Sequence, residues 1–240
     1  MTAVQLLAQA PGFIAVDKPP GTIVIPARLA GSEISLRQRV EEELKQKLFV
    51  IHRLDRDTSG VLLFALKAAT HRALSMAFET GEVEKHYLAL VRGRLAAPIE
   101  IEFPLARARR GRVRRAKQGE SGKAAFTRIS PVEIFELATL VHAQPLTGRT
   151  HQIRVHLLEA GHPLLVDPQY GQPSILLGSD LGIPSAGPLL ARTPLHAHRL
   201  VIPRLTGIEP CAIESPLPPD MARAIEALRS ASGIHAKGIG

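Results

Sequence analysis

Cysteine and aromatic residues are scarce in this chain of 240 residues. Cys211 is the only cysteine, so an intrachain disulfide is excluded and we expect a reducing, cytoplasmic location. Tryptophan is missing, and the two tyrosines are Tyr87 and Tyr170. These are too few aromatic rings for the stacking platforms with which many proteins bind single-stranded nucleic acid.

Long apolar runs are also missing from the sequence. No stretch reaches the roughly 18 apolar residues that a membrane span requires. The first residues, MTAVQLLAQAPG, have a short apolar stretch without a basic flank, unlike a secretory signal. The sequence therefore predicts neither membrane association nor secretion.

Acidic residues are the minority among the charged ones, with 22 Asp and Glu against 30 Lys and Arg, for a net charge of +8. An excess of basic side chains raises affinity for phosphate backbones, because binding releases counterions. The hydrophobic content of 45% is enough for one substantial core. We therefore expect a single domain over residues 1–240 with a polyanionic partner.

Segments with the pattern of β-strands outnumber those with the pattern of helices. They do not alternate regularly, so the sequence predicts an α+β fold rather than a doubly wound one. The strands are predicted at 13–21, 61–67, 86–93, 124–130, 137–146 and 196–202. The helices are predicted at 35–47, 70–81 and 218–230.

An arginine-rich run, RARRGRVRRAK, occupies residues 107–117. It has no apolar period, so it predicts a loop or an irregular hairpin. Like charges repel and cost stability unless a partner neutralises them, so we expect contacts with phosphate, a solvated segment being the alternative. The predicted RNA-binding residues of this run are Arg109, Arg110, Arg112, Arg114, Arg115 and Lys117.

The stretch IHRLDRDTSG, residues 51–60, concentrates acids and arginines in ten positions. From Asp55 it reads D-x-D-x-S-G, which is how a calcium-binding loop begins, but such a loop needs a glutamate at its twelfth position. That position is Leu66, in an apolar run, so an EF-hand is excluded. The acids remain candidates for chemistry or for capping the turn.

A second dense stretch, residues 148–171, contains three histidines. In a strand, His151 and His156 would lie on opposite faces, and in a helix they would lie about 140° apart. Neither arrangement is that of the paired histidines of a zinc helix. His196 and His198 have no Cys or Glu at ligand spacing. The sequence also lacks the G-x-S-x-G, Walker and G-x-G-x-x-G motifs. We therefore expect neither a metal site nor a nucleotide cofactor.

Six motifs of the chain resemble those of the RluA-type pseudouridine synthases, in that family's order. HRLDRDTSG at 52–60 resembles the catalytic motif, and GRTHQIRVHL with GHP and DPQYG at 148–171 is similar to the later one. The other landmarks are DKPPG (17–21), EKHYLALVRG (84–93), GKAAFT (122–127) and LHAHRL (195–200). The match covers about residues 10–220, so we expect the catalytic domain without an S4 domain.

The resemblance implies a fold and a set of functional residues. The fold is an α+β domain around a long, largely antiparallel sheet, with flanking helices and a central active-site cleft. Asp55 is implied as the catalytic carboxylate, Tyr87 as the ring against the target base, and Arg154 as the cation paired with Asp55. Arg53 is implied to enter the RNA helix where the uridine leaves. Arg149 is left for RNA or structure, because charge alone does not separate it from Arg154.

The implied function is isomerisation of uridine to pseudouridine in ribosomal or transfer RNA, by a monomer that needs no cofactor. Whether Asp55 attacks the sugar or abstracts a proton stays open. Asp57 could form a glycosidase pair with Asp55, although a capping role fits the family pattern better. The alternative functions are a non-catalytic RNA-binding protein of the same fold and an RNA N-glycosidase.

Overall fold

The computed structural model describes residues 4–26, 33–182 and 187–236, which fall into two compact units. Unit 1 comprises Met1–His86 and Ala197–Pro216, and unit 2 comprises Tyr87–His196 and Leu217–Gly240. The chain therefore leaves unit 1 after His86, forms most of unit 2, returns to unit 1 at Ala197 and ends in unit 2.

Strands dominate the described residues, and four α-helices accompany them. The helices are α1 (Leu36–Leu44), α2 (Ala68–Thr80), α3 (Gln152–Glu159) and α4 (Pro219–Ala236). The strands are β1 (Leu6–Ala10), β2 (Phe13–Lys18), β3 (Phe49–Val50), β4 (Ser59–Ala65), β5 (Glu84–Arg92), β6 (Ile99–Glu102), β7 (Leu105–Arg107), β8 (Val113–Arg115), β9 (Phe126–Ile134), β10 (Ala138–Pro145), β11 (Leu176–Leu177), β12 (Pro188–Leu190), β13 (Leu195–Ile202) and β14 (Cys211–Glu214). Short 3-10 helices lie at Arg109–Gly111, Pro168–Tyr170 and Gly178–Leu181.

Unit 1 is built around strand β4. Its strands follow the order β1, β2, β4, β13, with β3 beside β4 and β14 beside β13. Every residue of β4 is buried, which explains its uninterrupted apolar sequence, because a strand covered on both faces needs apolar residues on both. Helix α2 packs Leu74 and Ala77 into the same core as Val61 and Leu63.

Unit 2 is built on antiparallel strands in the order β5, β10, β9, β6. Val155 and Leu157 of helix α3 belong to one core cluster with the strand residue Val141. Helix α4 contributes Met221 and Ile225 to a second cluster. The unit therefore buries apolar surface in two places, one beneath each helix.

The predicted α+β class with a largely antiparallel sheet is confirmed, and each predicted strand and helix is present with shifted ends. Gly81 ends α2 in the left-handed conformation, as its position predicted. Helix α3 forms within 148–171, where the sequence had left strand and helix open. The sequence did not predict the short strands, which hold too few residues to show a period. None of the helices in the described ranges is long and apolar enough to cross a membrane.

Gly60, in the second position of β4, meets a steric limit that only glycine satisfies. Its φ is +113°, and a Cβ at this position would lie 2.2 Å from the carbonyl oxygen of Ala197. Because that neighbour is backbone of β13, it cannot rotate away as a side chain would. The close approach of the two strands therefore depends on a missing side chain.

We expect Gly60→Ala to lower the free energy of unfolding by ~4 kcal/mol or more, because strain and overlap act together. Gly207→Ala is the matched control, since Gly207 also has a positive φ, of +74°, but has open space around its Cβ position. The control should cost only about 1 kcal/mol. Denaturant titration of both variants measures the difference, and equal losses would contradict the steric explanation.

Candidate functional site

The turn that carries Asp55 lies between β3 and β4. The backbone N–H of Thr58 donates to the carbonyl oxygen of Asp55 at 3.2 Å, which closes the turn. Asp55 is half-buried and Arg53 is exposed. The acid therefore stands directly before the fully buried strand, where a side chain has a rigid support.

Lys18, the last residue of β2, fixes this turn from inside the protein. Its side chain is fully buried, and its ammonium donates to the carbonyl oxygens of Pro19 at 3.0 Å, Arg56 at 2.8 Å and Thr58 at 2.8 Å. An ammonium has three N–H donors, so these three bonds give each donor a partner. Two of the acceptors belong to the turn, and Lys18 therefore sets the path of the chain just after Asp55.

His52 fixes the beginning of the same turn. Its Nε2 accepts a hydrogen bond from the backbone N–H of Leu63 at 3.1 Å, and its ring stacks on Phe78 with centroids 4.4 Å apart. Desolvation, together with the smaller effect of the positive charge of Lys85, lowers the pKa of His52 to about 3. The ring is therefore neutral at physiological pH, as an accepting Nε2 requires.

In unit 2, Arg154 on helix α3 is held by the segment that follows the helix. The Nε and Nη2 atoms of Arg154 donate to the two carboxylate oxygens of Asp167 at 2.8 and 2.7 Å, and Nη2 also donates to Gln169 Oε1 at 2.8 Å. The guanidinium faces the ring of Tyr170 at 4.9 Å. Both members of the ion pair are buried, so this bidentate geometry orients the guanidinium firmly.

Gln152, the first residue of α3, ties the helix to strand β9. Its Oε1 accepts from the hydroxyl of Thr147 at 2.7 Å and the backbone N–H of Arg149 at 3.0 Å. Its Nε2 donates to the carbonyl of Phe126 and to Thr127 Oγ1, each at 2.9 Å. Because all four bonds come from one buried side chain, the start of the helix that carries Arg154 is rigid.

Tyr87 and Arg149 lie at the margins of unit 2. Tyr87 in β5 pairs with Ala143 of β10 and packs, partly buried, against the core. Arg149 is exposed, and its Nε donates to the carbonyl of Ala124 at 3.1 Å. Tyr87 therefore combines a fixed backbone with partial exposure.

Of the two predicted forms of the arginine run, a loop or an irregular hairpin, the structure has the hairpin, with β7 and β8 antiparallel and a 3-10 turn at the tip. Arg109 and Arg112 are exposed and form no ion pair with any residue that the structure describes. Arg114 instead donates two hydrogen bonds, of 2.7 and 2.8 Å, to Glu120. These bonds lower the pKa of Glu120 to about 2. The side chain of Arg110 lies outside the described residues.

The other two cations of the run have different surroundings. Arg115 is exposed and lies over the ring of Phe103 at 5.0 Å. Lys117 is exposed, and its backbone N–H donates to Glu120 at 2.9 Å. The five predicted cations of the run whose side chains are described are therefore chemically unequal.

Several histidines bind protein groups. His156 is buried, with Nδ1 2.9 Å from Thr127 Oγ1, and desolvation lowers its pKa to about 4. His198 Nδ1 lies 3.0 Å from the carbonyl of Ser215. In the described ranges, no group of three or more His, Cys, Asp or Glu residues could hold a metal ion. Independence from metal stays a prediction.

The predicted site residues divide between the units, with Asp55 and Arg53 in unit 1 and Tyr87, Arg149, Arg154 and the hairpin in unit 2. The pairing of Arg154 with Asp55 stays a prediction. The sequence predicted no role for Lys18 or Asp167, although Lys18 lies in the motif DKPPG and Asp167 in the motif DPQYG. The position of Lys18 at the end of a predicted apolar strand could have indicated its burial, because a lysine there is expected to bury its hydrocarbon stem.

The comparisons with known proteins agree with one another. A model of the RNA pseudouridylate synthase family matches residues 12–159. The ribosomal large subunit pseudouridine synthase D of Nitrosomonas europaea is 37% identical over 91% of this chain and 63% of that protein. The ribosomal large subunit pseudouridine synthase C of Pasteurella multocida is 36% identical over 94% of this chain and 68% of that protein.

A structural comparison gives the same fold. The solved structure of human RNA pseudouridylate synthase domain containing 4 has a TM-score of 0.74 and covers 94% of this chain and 93% of that one. At 22% identity, this likeness concerns the fold alone. The first relative, by contrast, is similar in sequence, and the chain spans 63% of its length.

We expect acid to destabilise the protein partly through His52. Its pKa is about 3 in the folded chain against an ordinary value of 6.5, so the unfolded chain binds a proton in this interval and the folded chain does not. The contribution of neutral His52 to the free energy of unfolding is therefore fully present above pH 6.5 and decreases as the pH falls towards about 3. In His52→Gln, which keeps an acceptor for Leu63, the slope of unfolding free energy against pH should decrease by up to one proton. Denaturant titrations across this interval measure it, and an unchanged slope would contradict a neutral His52.

Proposed function

The chain belongs to the RNA pseudouridylate synthase family, and we propose on this premise that it isomerises uridines of structured RNA to pseudouridine. The observation that carries the proposal is the turn with Asp55 at the entrance of β4, held by buried Lys18 in an intact motif. The relatives are named for the large ribosomal subunit, which favours ribosomal RNA, and transfer RNA is the alternative substrate.

The proposed reaction suits this set of residues. Isomerisation breaks the bond between the sugar and a ring nitrogen of uracil and forms a bond from the same sugar carbon to a ring carbon. That ring carbon loses a proton and the nitrogen gains one, so there is no net oxidation and no phosphoryl transfer. One carboxylate is sufficient to assist it, either as a nucleophile at the sugar or as a base. We therefore propose that the enzyme works without a metal or another cofactor.

We assign three residues to the chemical step. Asp55 is the catalytic carboxylate, and Arg154 is the cation that favours its ionised form, since a nearby positive charge lowers a carboxyl pKa. The two hydrogen bonds that Arg154 donates to Asp167 support this role, because they fix the guanidinium. Tyr87 is the ring that packs against the target base. The assignment of these partners rests on the family motifs.

Extraction of the base from the RNA helix requires a further group. Unstacking and unpairing a nucleotide costs a few kcal/mol, and a side chain that fills the gap offsets part of that cost. Exposed Arg53, two residues before Asp55, is our candidate. We further propose that the protein acts as a monomeric single catalytic domain in the cytoplasm.

We propose that the hairpin β7–β8 grips RNA through phosphates, with Arg149 as an additional contact. The exposure of Arg109 and Arg112 supports this role, because a guanidinium without an internal carboxylate is available for a phosphate fork. Contacts with phosphate position an RNA without reading its sequence. The choice of uridine therefore lies with other residues.

We expect Asp55→Asn to abolish pseudouridine formation, by at least 1,000-fold, while folding and RNA affinity stay nearly unchanged. The substitution keeps the shape of the side chain and removes the ionisable group. Asp57→Asn, two residues along the same turn, is the matched control and should retain activity. Mass spectrometry of a uridine-containing RNA measures the product, and free uracil in place of pseudouridine would identify a glycosidase instead.

The same variant also distinguishes an enzyme from the remaining alternative, a non-catalytic RNA-binding protein. If the protein only bound RNA, wild type and variant would both leave uridine unchanged at equal affinity. Activity of the variant within tenfold of wild type would remove Asp55 from the chemical step.

We expect Arg112→Gln to weaken RNA binding more than Arg114→Gln does, because Arg114 is already paired with Glu120. Loss of one phosphate contact should reduce the slope of log affinity against log salt by roughly 0.7 to 0.9. Single-turnover rates at saturating enzyme should change less than affinity in both variants. Salt titrations on one RNA make the comparison, and equal slopes in wild type and Arg112→Gln would show that this arginine faces only solvent.

A further inference from the structure

Tyr170 contacts both the arginine hairpin and the catalytic-site arginine. Its hydroxyl accepts a hydrogen bond from the backbone N–H of Val113 in β8 at 3.0 Å. Its ring lies 4.9 Å from the guanidinium carbon of Arg154. Val113 is itself buried, so this backbone N–H depends on a protein acceptor. One side chain therefore touches the two parts of unit 2 to which RNA grip and chemistry are assigned.

His151 completes the arrangement on the third side. Its Nδ1 lies 2.8 Å from the Tyr170 hydroxyl, and the two rings meet edge to face at 5.6 Å. His151 has a φ of +53°, a left-handed conformation that costs free energy in a residue other than glycine. His151 is the N-cap of helix α3, so this contact links the Tyr170 hydroxyl to the start of the helix that carries Arg154.

The ring and the hydroxyl of Tyr170 have separable contacts. The ring covers the guanidinium face, while Asp167 and Gln169 bind the guanidinium in its plane. The hydroxyl contacts Val113 and His151 and is not needed for the ring's contact with Arg154. A phenylalanine at this position would therefore keep one function and lose the other.

We propose that Tyr170 is a positioning residue that couples the arginine hairpin to Arg154. Through its hydroxyl it holds strand β8 at a fixed distance from the guanidinium, so that an RNA gripped by Arg109 and Arg112 has a set register relative to Arg154. The inference rests on the proposed RNA-modifying function. It connects the residues proposed to bind RNA with the arginine proposed for the chemical step, and the separate roles of those residues do not make this connection.

The coupling is tested by a double-mutant cycle that combines Tyr170→Phe with Arg109→Gln/Arg112→Gln. In the wild-type background the arginine changes should weaken RNA binding about tenfold or more. In the Tyr170→Phe background the same changes should weaken it threefold or less, because strand β8 has lost the hydrogen bond that fixes it relative to Tyr170. An equal effect in both backgrounds would overturn the coupling.

Single-turnover rates distinguish positioning from general destabilisation. Tyr170→Phe should lower the rate at saturating enzyme only about threefold, because the register of the RNA is less well defined while the ring still contacts Arg154. Tyr170→Leu, which removes the ring, should lower that rate at least tenfold. Equal losses of rate in both variants would overturn the separation of the two functions.

Hydrogen exchange at the Val113 amide gives a reading that does not involve RNA. The amide should exchange at least fivefold faster in Tyr170→Phe than in wild type, while amides of β9 stay unchanged. An unchanged Val113 exchange rate would overturn the Tyr170 link itself. The failure of the proposed function is recognised separately, because Arg109→Gln/Arg112→Gln would then leave RNA binding unchanged even with Tyr170 present.

Discussion

The proposed active-site turn depends on the hydrogen bonds that the buried ammonium of Lys18 donates to backbone carbonyls. Burial of a charge is costly unless its donors are paired, and here three backbone carbonyls, including those of Arg56 and Thr58, pair all of them. The same bonds give partners to carbonyls that the turn cannot use in a sheet. The cation and the irregular backbone thus satisfy each other, and Asp55 obtains a fixed position without belonging to a helix or strand.

Unit 2 uses the same principle with different chemistry. Arg154 is also a buried cation, but its partner is the carboxylate of Asp167 rather than backbone dipoles. A guanidinium has a planar fork that matches a carboxylate in two bonds, and an ammonium has three rotating donors that suit separate carbonyls. Lysine therefore fits a site that must gather chain segments, and arginine fits one that must keep an orientation.

Local pattern was sufficient for much of the fold and for less of the site. Strand β4 and helix α2 follow from an apolar run and from Gly81, because both signals lie within a few residues. The start of α3 does not, since His151 adopts a positive φ and Gln152 is held by residues more than twenty positions away. The family motifs predicted a role for Arg154, but they predicted none for Asp167, whose carboxylate accepts its hydrogen bonds. A pairing across a turn depends on tertiary geometry that spacing alone does not define.

Charge counted from the sequence and charge available for binding are different quantities in this protein. A net charge of +8 acts at long range on any polyanion and raises the rate of encounter, whichever arginines supply it. Contact is local, and in the hairpin Arg114 is occupied by Glu120 whereas Arg112 is not paired with any described residue. Glu120 lowers the net positive charge of the hairpin region by one, which weakens its long-range attraction for a polyanion. Its pair with Arg114 also ties the turn after β8 to that strand. Order in the hairpin is thus obtained by pairing one guanidinium internally, and Arg109 and Arg112, which we propose as the phosphate contacts, are presented on a more rigid support.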